Sequence, residues 1–208
     1  ENDILGGEDL YSASKACTEL TFEAYYKSFL HKNKKLAFAT TRAGNVVGGG
    51  DMKKDRIVPD VIKSLKNKTP LIIRSPDATR PWQHVLEPIS GYLKLGELLI
   101  NKKLSNSIKP NWNFGPNILN CKSVIHVVKE VIDCWGEEKK INIIKSNKFK
   151  EAKLLMISSD KAKTELGWTP SLSFKETIKM TVEWYKNCFF ENKVEEITRS
   201  QIEYFLRK

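Results

Sequence analysis

Cysteine is scarce in this 208-residue chain, with four residues (Cys17, Cys121, Cys134 and Cys188) and no Cys-x-x-Cys spacing. That scatter argues against a disulfide framework and against a cysteine-built metal site. Free buried thiols in a reducing compartment, and no metal, are expected. Histidine is scarcer still, at three. No apolar run approaches the roughly 18 residues a membrane-spanning helix needs, so no membrane segment is expected. The opening residues, Glu1-Asn2-Asp3-Ile4-Leu5-Gly6-Gly7, carry neither a basic region nor an apolar stretch. No signal peptide is visible there, and a cytoplasmic location is expected. Arginine is also rare. Only six of the 35 basic residues are arginine: Arg42, Arg56, Arg74, Arg80, Arg199 and Arg207.

Hydrophobic residues make up 40% and charged residues 29%, a soluble globular mix in a chain long enough for a real core. The net charge of +10 raises the question of nucleic acid. The charge is mostly lysine, spread in mixed-sign runs such as Gly136-Glu137-Glu138-Lys139-Lys140 with no basic cluster interleaved with aromatics. A solvated lysine-rich surface is expected, and no nucleic-acid partner. Four of the six arginines fall between residues 42 and 80. That grouping is more informative, because a guanidinium binds phosphate in a planar, bidentate way.

Asp9 can cap a helix from about Leu10 to His31, with Leu20, Phe22, Tyr25, Tyr26 and Phe29 supplying apolar surface. Leu36 to Arg42 reads as a short buried strand. Ala43 to Asp51 reads as a glycine-rich loop at the strand's C-terminal edge, where open α/β sheets bind ligands, although it lacks Gly-x-Gly-x-x-Gly. A helix over Ile57 to Leu65 and a strand over Leu71 to Arg74 follow. A polar loop containing Pro76 and Pro81 then leads to a long helix, about Leu86 to Lys103. Trp112 to Pro116 reads as a strand ending in a turn. Helices are expected near Ser123 to Trp135, Ser159 to Leu166 and Phe174 to Cys188, and a strand near Ile141 to Ile144. The lysine- and glutamate-rich tail reads as partly helical or frayed. Alternating strands and helices point to α/β.

Tyr11-Ser12-Ala13-Ser14-Lys15 places a phenol and an ammonium on one helix face, one turn apart. A neighbouring cation favours the phenolate, so the pair can act as a base towards an alcohol. Free tyrosine titrates near roughly 10, and working near neutral pH demands about 4 kcal/mol of help. One surface lysine seldom supplies that; an oxidised nicotinamide would supply more. The spacing alone is weak, because it recurs at Tyr204–Lys208, where it reads as accidental.

Three stretches in order change the weight of that pair. They are Leu5-Gly6-Gly7-Glu8-Asp9-Leu10-Tyr11-Ser12-Ala13-Ser14-Lys15-Ala16, then Thr41-Arg42-Ala43-Gly44-Asn45-Val46-Val47-Gly48, then Thr79-Arg80-Pro81-Trp82-Gln83-His84-Val85. With Arg56-Ile57-Val58-Pro59-Asp60 and Leu166-Gly167-Trp168-Thr169-Pro170, the chain resembles the extended short-chain dehydrogenase/reductase superfamily, among its nucleotide-sugar enzymes. Within it, the pattern is similar to the CDP-glucose 4,6-dehydratase family. The resemblance implies the C-terminal part of a Rossmann-type parallel sheet plus a smaller α/β substrate-binding domain. It implies Tyr11 as the base for the sugar 4-hydroxyl and Lys15 as the residue that holds the ribose of NAD and depresses the tyrosine. Asn45 and its loop would lie along the sugar and diphosphate, and Arg80 would pair with the diphosphate. Arg56, Val58 and Pro59 would help form the nucleotide pocket, with Arg74 a further candidate. Trp82 and His84 read equally well as packing residues. Glu151 falls where the family has a His-Glu-Ala segment near substrate, but Lys150 replaces the histidine.

The implied reaction is internal redox. Oxidation at C4 acidifies the C5 proton, water leaves from C6 and the hydride returns to C6, turning CDP-glucose into CDP-4-keto-6-deoxyglucose. The implied layout gives residues 1–50 and 84–118 to the cofactor-binding domain, 51–83 and 119–190 to the substrate-binding domain, and 191–208 to a tail. The family's Gly-x-x-Gly-x-x-Gly loop and its second acid/base segment come before the tyrosine helix. We therefore expect an N-terminally shortened piece of a longer enzyme, poorly soluble and inactive alone, and a homodimer when intact. Another NAD-dependent nucleotide-sugar dehydratase or epimerase, or a non-catalytic nucleotide-sugar-binding fragment, is the alternative.

Overall fold

The computed structural model describes residues 1–33, 36–101, 110–136, 142–143 and 153–208. In chain order its elements are α1 (Leu10–Tyr25), β1 (Thr40–Ala43), β2 (Asn45–Val47), α2 (Ile57–Asn67), β3 (Ile72–Ile73), β4 (Thr79–His84) and α3 (Leu86–Ile100). There follow β5 (Asn111–Phe114), β6 (Cys121–Ser123), α4 (Val124–Trp135), β7 (Asn142–Ile143), α5 (Asp160–Leu166), α6 (Phe174–Lys186) and α7 (Val194–Leu206). Helix α1 runs on through a wider π-helical turn, Tyr26–Leu30, so the helix expected to His31 ends close to it. The chain folds as two compact units.

One unit comprises Glu1–Arg42, Gly91–Phe114 and Ser158–Trp168. Its core gathers Leu95, Trp112, Phe114, Ala162, Leu166 and Trp168. Phe114 stands edge-on between Tyr92 and Trp168, with ring centroids 5.4 and 5.0 Å away, a geometry the aromatic quadrupole favours. The Lys161 ammonium lies 4.0 Å from the Trp112 ring and donates to the Asn111 carbonyl at 2.7 Å. β1 pairs with β5, and among the described residues neither has a second strand neighbour. The expected strand from Leu36 begins only at Thr40, and Leu36 is exposed. Only Ala16 of α1 is buried, so Leu20, Tyr25 and Phe29 face outward rather than into the described core. The Tyr25 and Phe29 rings instead meet each other along the helix, tilted, with centroids 5.0 Å apart.

The other unit comprises Ala43–Ser90, Gly115–Ile157 and Thr169–Lys208. Three amphipathic helices build its core. Val58, Val61, Ile62 and Leu65 recur at helical spacing on α2, and Val127, Val128, Val131, Ile132 and Trp135 on α4. Phe174, Ile178 and Val182 do so on α6. A Ser173–Glu176 capping box starts α6. These helices lie with a three-stranded sheet of order β2-β4-β6, in which β2 runs parallel to β4 and β4 antiparallel to β6.

Two expectations are corrected here. The glycine-rich stretch after Arg42 is not all loop, because Asn45–Val47 forms β2 in register with Trp82–His84. The polar loop holding Pro76 and Pro81 ends at Ala78, since Thr79–His84 is the middle strand. Gly44 permits this pairing, because a methyl group there would stand 2.7 Å from the Pro81 carbonyl oxygen. The tail, read as partly helical or frayed, is helical over Val194–Leu206, as α7. The four thiols are free, as expected, but not buried: Cys17 is exposed and the other three are half-buried. Of the tryptophans read as core, Trp112, Trp135 and Trp168 are buried, whereas Trp184 is only partly so.

Candidate functional site

In the first unit the local sequence fixes where the predicted base stands. The Asp9 carboxylate accepts from the Ser12 amide at 2.9 Å and the Ser12 hydroxyl at 2.6 Å, which holds it below the usual carboxylate range. That cap starts α1 at Leu10, putting Tyr11 in the first turn and Lys15 one turn on. Tyr11 is 71% exposed, and the Lys15 ammonium lies 5.7 Å from its ring centroid. Glu19 continues the stripe one turn further. It accepts from Arg42 Nε and Nη2 at 2.9 and 3.0 Å, from Thr40 Oγ1 at 3.0 Å and from Asn111 Nδ2 at 3.2 Å. The helix carrying the pair is thus pinned to β1 and β5 by one carboxylate. The Arg42 fork in turn holds Glu19 below its ordinary value. Sequence reading grouped Arg42 with the phosphate-seeking arginines and passed over Glu19, although its four-residue spacing from Lys15 was readable.

In the second unit the remaining predicted residues fall on two neighbouring stretches of chain. Asn45, half-buried on β2, stands opposite Trp82, and Arg80 lies on β4 itself. Arg80 is 7% exposed and its Nη1 donates to the Thr79 carbonyl at 2.9 Å. Arg56 occupies the N-cap position of α2 and pairs with Asp51 at 2.7 Å, while Arg74 pairs with Asp55 at 3.1 Å. Both guanidiniums are largely exposed at the segment between β2 and α2, so that segment holds two cations. Val58 belongs to the apolar core and Pro59 is buried next to it in the chain. Glu151 and Lys150 lie outside the described residues.

Two buried polar residues close the β4–α3 junction. His84 is 2% exposed, and its Nδ1 accepts weakly from the Leu86 amide at 3.4 Å. Its Nε2 has no partner among the described residues, and burial pushes the imidazole down to about 4. Glu87, 1% exposed, accepts from the amides of Ser171 and Leu172 at 2.8 and 2.6 Å through one oxygen. Burial nevertheless pushes its carboxyl upward. Glu87 gave no signal in sequence, because its contacts are to backbone amides 84 and 85 positions away. Among the described residues no cluster of His, Cys, Asp or Glu could hold a metal, and no helix is long and apolar enough to cross a membrane.

Comparison with known proteins places this geometry. A family model described as GDP-mannose 4,6 dehydratase matches residues 1–181. The chain is 40% identical over 190 residues to a CDP-glucose 4,6-dehydratase of Salmonella typhimurium, covering 89% of this chain and 52% of the relative. It is 25% identical over 181 residues to a human dTDP-D-glucose 4,6-dehydratase, covering 86% and 49%. Among solved structures, the dTDP-glucose 4,6-dehydratase of Bacillus anthracis, in complex with NAD, superposes with a TM-score of 0.73 at 25% identity, covering 95% of this chain and 56% of that one. The chain spans about half the length of the relatives it matches. With an α/β fold shared with extended short-chain dehydratases and epimerases and a match running through both units, the chain belongs to the GDP-mannose 4,6 dehydratase family.

Proposed function

We propose that this chain is the base-bearing and substrate-binding part of an NAD-dependent nucleotide-sugar 4,6-dehydratase whose substrate is CDP-glucose. The observation that carries the proposal is the 40% identity to the Salmonella CDP-glucose enzyme along 89% of the chain. The exposed stripe on α1 fits a nicotinamide cofactor. Tyr11 is open to a ligand, and among the described residues no carboxylate pairs with Lys15, which leaves its three N–H donors for ribose hydroxyls. Bound there, NAD would supply the hydride chemistry, oxidation at the sugar C4 and reduction at C6.

The chain's own residues do the rest of what is assigned here. Tyr11 takes the proton of the 4-hydroxyl, with the Lys15 ammonium one turn on beside it. Glu19 and Arg42 hold their helix in place. Arg80 meets the diphosphate, Arg56 and Arg74 flank the nucleotide, and Asn45 orients the sugar. Glu151 is a further candidate on the sugar side. A homodimer pairing through helices that include α1, whose apolar side chains are exposed, and a cytoplasmic location belong to the same proposal.

The test is turnover by the natural protein of CDP-, dTDP-, UDP- and GDP-sugars, followed by formation of the 4-keto-6-deoxy product. CDP-glucose is expected to win, and Tyr11→Phe to lower kcat by at least about 100-fold, the scale of a lost acid–base group. Turnover confined to dTDP- or UDP-glucose would overturn the cytidine assignment. Unchanged turnover in Tyr11→Phe would overturn the role of the base.

A further inference from the structure

We propose that Trp184 positions the glycine loop between β2 and α2, and that α7 holds Trp184 in place. The proposal rests on the reading above, in which that loop lies along the nucleotide sugar. Both Trp184 and α7 lie beyond residues 1–181, the span of the family match.

The loop Gly48-Gly49-Gly50-Asp51 runs across the indole. A methyl group on Gly49 would stand 2.0 Å from Cδ2 and 2.2 Å from Cγ of Trp184, so the ring occupies the space any side chain would need. Gly50 turns the chain at φ +85°, and a methyl group there would still reach the far edge of the same ring at 3.8 Å. The next residue on α6 fixes the loop's far end, with the Tyr185 hydroxyl donating to the Asp51 carbonyl at 2.6 Å. Burial pushes that phenol up to about 12, so it remains a donor at any working pH. The Asp51 carboxylate in turn takes Arg56, one of the two arginines at this segment.

The indole is itself locked. It stands edge-on to Tyr185 with centroids 5.4 Å apart, and its Nε1 donates to Thr198 Oγ1 on α7 at 2.9 Å. Thr198 gives its own hydroxyl proton to the Val194 carbonyl at 2.6 Å, which leaves a lone pair for an indole that can only donate. Three further bonds fasten α7 to α6. Gln201 Nε2 donates to the Met180 carbonyl at 2.7 Å, and Tyr204 Oη and Lys208 Nζ reach Glu176 Oε1 at 2.7 and 2.6 Å. The contacts run from α7 through Trp184 to the loop backbone, where a small shift moves the groups that approach the sugar.

The experiment uses the natural protein and CDP-glucose. Trp184→Phe removes the N–H and narrows the ring, and is expected to raise KM about tenfold with kcat within about threefold. Thr198→Val, which removes the hydroxyl that accepts from the indole and donates to the Val194 carbonyl, moves KM the same way by about threefold. Values of KM within about twofold of the parent in both variants overturn the proposal. A second arm needs no substrate. Gly49→Ala should lower the thermal midpoint in the parent but not in a Trp184→Ala background, because the methyl then has room. Equal losses in both backgrounds overturn the proposal whether or not CDP-glucose is the substrate, whereas a parent that fails to turn over CDP-glucose tells only against the substrate reading.

Discussion

His84 makes acid stability a measurable consequence of one buried ring. Its Nδ1 accepts from the Leu86 amide, so the neutral ring carries its proton on Nε2, where no described group waits. A second proton would cost the Nδ1 acceptor and place a charge in a site 2% exposed. Burial therefore takes the imidazole from an ordinary 6.5 to about 4. The folded affinity is the lower one, so the unfolded chain binds more protons between these values. The contribution is fully present above the unfolded value and is lost as pH falls towards the folded one.

At roughly 1.4 kcal/mol per decade of proton affinity, the whole effect is about 3 kcal/mol, of which about 2 kcal/mol is lost by pH 5. The comparison is urea unfolding of the natural protein and of His84→Asn, whose Oδ1 can take the Leu86 amide, at pH 7.5 and pH 5. Carboxylates titrate alike in both and cancel. The parent should lose about 2 kcal/mol more than the variant across that interval. Parallel losses, or an imidazole NMR titration centred near 6.5, would refute the reasoning.

Three further outcomes follow from the same kind of accounting. Glu19→Gln deprives Arg42 of its counter-charge and should lower unfolding free energy by about 1–3 kcal/mol in urea, with a change below about 0.5 kcal/mol counting against it. Glu87→Gln keeps one acceptor oxygen and removes a carboxylate that burial disfavours. Because that carboxyl is raised, its contribution to stability is lost as pH rises through the folded value. The variant should therefore gain on the parent as pH rises from the ordinary carboxylate range towards neutrality, and a constant difference would refute this. Gly44→Ala should cost about 1–3 kcal/mol by thermal unfolding, since the Pro81 carbonyl blocks the methyl. Gly96→Ala on α3, where nothing lies within 4 Å, should cost nothing.

Helices were legible in proportion to how fully periodicity decides them. On α2 and α4 the buried positions follow the apolar spacing, and Asp9 and Ser173 sit where a cap is written in the residue type. Strand β4 was hidden because its signals contradict each other. Pro81 marks a break, yet every residue from Arg80 to His84 is buried, so no alternation shows. Its identity as a strand depends on β2 and β6, pairings to residues 37 to 44 positions away. β2 was hidden by the glycines around it, which local reading treats as loop. The order of α7 rests largely on polar contacts that apolar spacing does not announce, through Thr198, Gln201 and Tyr204, with Lys208 just past its end.

Two copies of one spacing show how far a motif goes without its surroundings. Tyr11–Lys15 and Tyr204–Lys208 present the same groups one turn apart, with the ammonium 5.7 and 5.2 Å from the ring centroid. In the second copy both polar atoms converge on Glu176 Oε1, which they and the Ser173 cap hold down at about 2. There the phenol and the ammonium are both spent on one carboxylate oxygen. That copy is built as a fastening. On α1 the nearest acid along the stripe, Glu19, is instead taken up by Arg42, Thr40 and Asn111. The Glu19–Arg42 network thus does two things at once: it anchors the helix, and it keeps the nearest carboxylate away from the pair. Tyr11 and Lys15 are left facing outward with donors to give, and the proposed base chemistry rests on those surroundings.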